Sequence, residues 1–183
     1  MRLVQMADAP DIRESVDESR GLLKKLQLIV PGFRGYRQLE DLRAADELLR
    51  RQVAGQLKRG ENRIMDARSA IAFRGDYGHL QAVASLLSKL QLLEGDIMHA
   101  EQGYTGISPS IRMDQSKISS LYDFDYAFIS SAAKFASDAD SLSLPSLAGN
   151  DLLQAISRLS AEIDEIREKW SARMAAVQNI EVV

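Results

Sequence analysis

Apolar residues recur at intervals of three and four along most of this chain, which is the pattern of amphipathic α-helices. The spacing predicts five helices, separated by turns rich in glycine, proline or serine. Their predicted ranges are about Pro10 to Val30, 37 to 73, His79 to Gln102, Asp114 to Ala139 and 150 to 179. Everything between the turns reads as helix, so the fold class is predicted to be all-α.

The short turns also predict how the helices are arranged, because short connections favour antiparallel neighbours. After an N-terminal tail at 1–9, residues 10–139 are predicted to form an up-down antiparallel four-helix bundle. A linker at 140–149 then leads to an additional long C-terminal helix at 150–179, which packs on the bundle or on a partner within one domain. The second helix is predicted as one long helix that is weakest near Gly60, where it could bend or break.

Two glycine-framed aromatic turns interrupt the helical pattern, Gly32-Phe33-Arg34-Gly35-Tyr36 and Gly103-Tyr104-Thr105-Gly106-Ile107. Glycine permits positive φ and the close approach of a neighbour, so each element predicts a shaped turn that presents an aromatic ring. Both connect an up helix to a down helix and are therefore predicted at the same end of the bundle. The predicted partner-binding residues at this end are Phe33, Arg34, Tyr36 and Tyr104.

Several carboxylates fall on the apolar helix stripes, where an unpaired charge is costly. They could be neutralised by arginines in a structural network, lie at an interface between copies of the chain, or bind a metal. The predicted buried polar network comprises Arg34, Arg37, Arg43, Asp46, Glu94, Glu101 and Asp125.

A metal-carboxylate bundle is the alternative with catalytic potential. Di-iron bundles carry a Glu-x-x-His pair on each of two helices. The nearest spacing here, Asp96-x-x-His99, projects away from the stripe that carries Glu94 and Glu101. No phosphate-binding loop, dinucleotide fingerprint, serine-nucleophile elbow or zinc-protease motif is present. No catalytic residue, metal ligand or cofactor is therefore predicted.

Composition narrows the class of protein further. The 183 residues are 45% hydrophobic and 27% charged, which suits one domain with a substantial core. The sequence contains no cysteine, which excludes disulfides, thiolate metal sites and cysteine nucleophiles. It has no signal-peptide core and no run approaching the roughly 18 apolar residues of a membrane span, so a cytoplasmic protein without membrane contact is predicted.

Charge is distributed unevenly along the chain. The net charge of −3 argues against a dedicated nucleic-acid binder. Residues 34–74 nevertheless carry ten Lys or Arg against six Asp or Glu, whereas residues 138–183 carry four against eight. These segments could attract each other within one fold or across a homo-oligomer, and solvated helix faces are the simpler interpretation.

Each glycine-framed turn is followed by a characteristic helical segment. The first pair is Pro31-Gly32-Phe33-Arg34-Gly35-Tyr36 and Leu42-Arg43-Ala44-Ala45-Asp46. The second pair is Tyr104-Thr105-Gly106-Ile107 and Leu121-Tyr122-Asp123-Phe124-Asp125. Over roughly residues 22 to 135, these segments resemble an uncharacterised prokaryotic family of all-helical proteins. No activity is known for that family, so the resemblance implies no catalytic residue. It implies that these positions belong to one module, with the fifth helix outside it.

These observations predict a non-enzymatic interaction or scaffold protein. Its glycine-aromatic end or its long helices would dock a protein partner or another copy of the chain. The alternative is a metal-dependent carboxylate bundle enzyme, and a weaker alternative is nucleic-acid or anion binding at the glycine-aromatic end.

Overall fold

A computed structural model describes residues 12–35, 39–100, 115–143 and 147–180. These residues form helices and turns without a strand, so the all-α prediction is confirmed for this part of the chain. The elements are α1 (Ile12–Ile29), α2 (Leu39–Phe73), α3 (Tyr77–His99), α4 (Gln115–Ala139), a short 3-10 helix (Asp140–Ser143) and α5 (Gly149–Ile180). The predicted tail at 1–9 and the second glycine element lie outside the described residues. The predicted linker at 140–149 begins with the 3-10 turn.

Helix α2 is continuous through the glycine at which a break could have been expected. Gly60 is buried and lies against the ring of Phe135 on α4. A Cβ atom at position 60 would lie 2.5 Å from Cε1 of Phe135, closer than atoms in a packed core approach each other. Gly60 therefore permits the close approach of α2 to α4.

The helix contacts differ from those of a bundle made by the first four helices. Helix α2 packs on α3 and α4, and α5 packs on the same two helices. Helix α1 contacts α4 alone among the described elements. Helix α5 thus belongs to the central packing and α1 lies at its side, so the predicted bundle of α1 to α4 is not confirmed.

Polar contacts show the direction in which neighbouring helices run. An amide N–H of Gln91 donates to Oε1 of Glu61 at 2.7 Å, and the guanidinium of Arg50 bonds the carbonyl of Ile97. A later position on α3 therefore lies beside an earlier position on α2, so the two helices are antiparallel.

Helices α3 and α5 run in the same direction. Lys89 pairs with Asp164 at 2.6 Å, and Asp96 lies 3.9 Å from Arg167, so later positions on the two helices meet each other. Helices α2 and α5, which occupy opposite corners of the packing, consequently run in opposite directions.

The core is a continuous cluster of aliphatic and aromatic side chains drawn from all five α-helices. Leu26 of α1, Phe128 and Phe135 of α4 and Ile163 of α5 are completely buried within it. Burial of this apolar surface is the main force that holds the helices together. Among the described helices, none is both long and apolar enough to cross a membrane.

Candidate functional site

The first glycine element connects α1 to α2 through backbone that glycine favours. Gly32 and Gly35 have φ angles of 86° and 88°, in the left-handed region. A Cβ atom at Gly35 would lie 2.7 Å from the hydroxyl of Tyr122 on α4. The element is therefore fixed both by its backbone conformation and by contact with α4.

Phe33 does not present its ring to solvent as the turn was expected to do, and its role in partner binding stays a prediction. Its side chain is 3% exposed and packs edge-on against Tyr122, with ring centroids 6.2 Å apart. The ring anchors the turn because burying it against another aromatic ring is more favourable than leaving it in water. Arg34 is exposed. Tyr36 and Tyr104 lie outside the described residues.

A small pocket opens between this turn and the first turns of α2. Its volume is about 270 Å³. Its lining, which we call the glycine pocket, consists of Gly32, Arg34, Gly35, Asp41, Ala44, Ala45 and Leu48. Small and apolar groups form most of this lining, and one acidic and one basic side chain complete it.

Substitution of Gly35 tests how strongly the turn is fixed. We expect Gly35→Ala to cost more stability than Gly75→Ala, because both residues have positive φ but only Gly35 abuts a neighbour. The backbone cost of about 1 kcal/mol is common to both variants, and the contact with Tyr122 adds about 1–3 kcal/mol at Gly35. Urea unfolding of the two variants measures the difference. Equal losses would show that Tyr122 does not confine the turn.

Close to this turn, buried carboxylates of α2 and α4 share one buried arginine of α5. Asp46, Asp125 and Arg173 are each 0% exposed. Nε of Arg173 donates to Oδ1 of Asp125 at 2.7 Å, and Nη1 donates to Oδ1 of Asp46 at 2.5 Å. One guanidinium thereby joins three helices through charge-assisted hydrogen bonds.

Arg50 extends these contacts to α3. Its Nε lies 2.8 Å from Oδ2 of Asp46. Its Nη1 donates to the carbonyl oxygens of Ile97 at 3.1 Å and Ala100 at 2.7 Å. Carbonyls at a helix C-terminus have no partner within the helix, so the guanidinium satisfies the end of α3 and holds it beside α2.

The two guanidiniums also share an aromatic neighbour. Their Cζ atoms lie 4.8 Å (Arg50) and 5.8 Å (Arg173) from the ring centroid of Trp170, which stacks on Phe128 at 5.3 Å. Indole is the aromatic system that attracts cations most strongly. Two acids and two bases thus surround one aromatic ring. We call this set of residues the buried ion cluster: Asp46, Arg50, Asp125, Trp170 and Arg173.

Arg50 and Arg173, which pair with the buried aspartates, are not among the arginines predicted to neutralise these acids. Arg34 and Arg43 are exposed, and Arg37 lies outside the described residues, as does Glu101. Glu94 is half-buried on α3, and the pKa of Lys58 is raised mainly by its bond to Glu61, with a smaller contribution from the charge of Glu94.

The predicted arginines lie in and just after the first glycine-framed turn, whereas Arg50 and Arg173 come from the apolar stripes themselves. Arg173 lies between Trp170 and Val177, and Arg50 lies one turn after Asp46. A basic residue on an apolar stripe was the signal in the sequence that could have identified both.

The arrangement of the two buried aspartates also bears on metal binding. Within the described residues, no group of three or more His, Asp or Glu side chains is placed to hold a metal ion. The position between Asp46 and Asp125 is occupied by the guanidinium of Arg173, which supplies the positive charge there.

A second ion cluster lies between α4 and α5. Nζ of Lys134 donates to Oδ2 of Asp138 at 2.7 Å and also to Glu162. Burial raises the pKa of Glu162 despite the bond from Lys134, whereas that ammonium holds the pKa of Asp138 below its usual value. These contacts connect two helices of the core at a distance from the glycine pocket.

Comparisons of the chain with protein-family models, with curated proteins and with solved structures found no match. The resemblance of the turn motifs to a family of helical proteins therefore stays a prediction.

Proposed function

We propose that this chain is a non-enzymatic helical interaction protein that docks a protein partner at the glycine pocket. The observation that carries the proposal is the pocket itself, a concave surface formed where a rigid turn meets α2. Arg34 is exposed at this surface, and Asp41 lies half-buried beside it. A side chain of a partner could enter the pocket while its neighbours contact these two charges.

The size and chemistry of the pocket favour a side chain over a cofactor. Pockets for small molecules usually measure about 300–1,000 Å³ and contain convergent polar groups. The glycine pocket is smaller, at about 270 Å³, and is lined mainly by glycine, alanine and leucine. Protein interfaces commonly anchor one large side chain in a pocket of this kind.

The buried ion cluster supports the same proposal by holding the floor of the pocket in place. Ala45 lines the pocket and Asp46 is the next residue on α2. Asp46 pairs with Arg173 of α5, which also bonds Asp125 of α4, and with Arg50, which bonds carbonyls at the end of α3. These linked contacts fix this part of α2 relative to three other helices. A pre-formed surface binds a partner without the cost of ordering it.

We further infer a helical bundle in which α2, α3, α5 and α4 surround the core, with α3 and α5 as parallel neighbours, and in which α1 packs on the outside of α4. The contacts and helix directions given above support this arrangement. It leaves the turn from α1 to α2 at the edge of the bundle, where a partner can reach it. Metal-dependent catalysis and nucleic-acid binding stay predictions.

Filling the pocket should weaken docking without unfolding the chain. We expect Ala44→Trp to weaken partner capture at least about tenfold, because Ala44 is exposed and lines the pocket. Ala70→Trp is the matched control, since Ala70 is an exposed alanine on the same helix outside the pocket. Affinity capture of the wild type and both variants from source-cell extract, followed by quantitative mass spectrometry, measures the effect.

The control variant should recover the same partners as the wild type. The proposal fails if capture recovers no partner and solution scattering shows a lone monomer, or if Ala44→Trp retains every partner. Stoichiometric metal in the purified protein would instead support the metal-dependent alternative.

A further inference from the structure

An exposed pair of aromatic side chains marks the turn between α2 and α3. Phe73, the last residue of α2, is 95% exposed, and Tyr77, the first residue of α3, is 71% exposed. Exposed rings lose little conformational entropy on binding and supply large contact areas, so they are frequent anchors at interfaces. We call residues 73–77 the aromatic tip.

The aromatic tip and the glycine pocket lie at opposite ends of α2. Ala44 and Phe73 are separated by 29 residues of one continuous helix, which corresponds to about 43 Å. The tip of one molecule cannot reach the pocket of the same molecule. Any contact between these two surfaces must therefore join two copies of the chain.

We infer that the glycine pocket of one copy receives the aromatic tip of a second copy. A dry cavity of about 150 Å³ already accommodates a benzene ring, so the pocket of about 270 Å³ has room for the phenyl group of Phe73. Its apolar lining suits an aromatic ring, and Arg34 at the pocket can contact the face of the second ring. The inference rests on the proposed docking function and names the partner.

Charge favours the same pairing. The pocket carries Arg34 and Asp41, and the tip carries Arg74 and Asp76. Within the chain Arg74 donates to the carbonyl of Leu147 and Asp76 pairs with His79, so an opposite charge of the second copy would add to these contacts.

The two surfaces differ from each other, so the contact is head-to-tail and leaves one tip and one pocket open after each addition. Two aromatic side chains bury about 300–500 Å² of their own surface, well below the area of a stable dimer. We therefore expect weak, concentration-dependent association, with a dissociation constant on the order of 100 μM.

Complementary variants of the full chain test the contact. Phe73→Ser/Tyr77→Ser removes the tip and keeps the pocket, whereas Ala44→Trp fills the pocket and keeps the tip. We expect each variant alone to be monomeric in sedimentation equilibrium under conditions where the wild type associates. Mixing the two should restore association that stops at a dimer, because one working tip then meets one working pocket.

Leu92→Ser is the control, since it removes an exposed leucine from α3 outside both surfaces and should associate as the wild type does.

Far-ultraviolet circular dichroism establishes that each variant is folded. A wild type that stays monomeric at about 500 μM, five times the expected dissociation constant, overturns the inference. So does association that survives loss of the tip, or a mixture that fails to form a dimer. If the pocket still binds another protein in such a case, the docking function stands and only the second copy is rejected as its occupant.

Discussion

Replacing Arg173 with methionine should destabilise the fold by about 3–5 kcal/mol, because it removes the guanidinium shared by two buried carboxylates. Asp46 and Asp125 are 0% exposed, so water cannot replace that charge without opening the core. Methionine fills much of the same volume and tests the loss of charge more than the loss of packing. Urea unfolding followed by circular dichroism gives the change in free energy.

The matched control is Arg158→Met, which removes an exposed arginine from the same helix and should change stability by no more than about 0.5 kcal/mol. A second comparison isolates the charge of the acid. In the Arg173→Met background, Asp125→Asn should recover part of the lost stability, because a buried amide costs less than a buried carboxylate. A loss below about 1 kcal/mol for Arg173→Met, or no gain from the added Asn, would show that the cluster contributes little to stability.

The helices could be predicted from the sequence because their signal is local. Apolar spacing identified all five helices. For α4, the predicted range of Asp114 to Ala139 differs from the observed Gln115–Ala139 by one residue at its start. The position of α5 could not be derived in this way. Short turns constrain only consecutive helices, whereas the packing of α5 on α3 depends on contacts between residues far apart in the chain.

In the candidate site, too, local features could be predicted from the sequence and contacts between distant residues could not. Asp46 and Asp125 were recognisable because a carboxylate on an apolar stripe contradicts the helical pattern. Arg173 lies 127 residues from Asp46, and no spacing rule connects them. The burial of Phe33 could not be predicted either. The sequence shows only a ring beside two glycines, and the contact with Tyr122 that buries it joins distant parts of the chain.

Two glycines of α2 should respond differently to alanine. Gly55 is exposed with no atom within 4 Å of a Cβ placed there, so Gly55→Ala should stabilise the chain by about 1 kcal/mol through helix propensity. Gly60→Ala has the same gain in propensity, but its methyl group would meet the ring of Phe135. Because that ring is completely buried, it can move only by disturbing the core.

Overpacking of this kind costs about 1–3 kcal/mol, so Gly60→Ala should be less stable than Gly55→Ala by that amount in thermal and urea unfolding. Phe135→Leu provides the internal check. In the Gly60→Ala background the smaller side chain relieves the clash, so the double variant should be more stable than the sum of the two single changes predicts. Additive effects, or an equal gain in stability at both glycines, would mean that α2 and α4 do not need a glycine at their contact. The expected coupling would instead show that Gly60, although unfavourable to an isolated helix, is required by the packing that holds α2 beside α4.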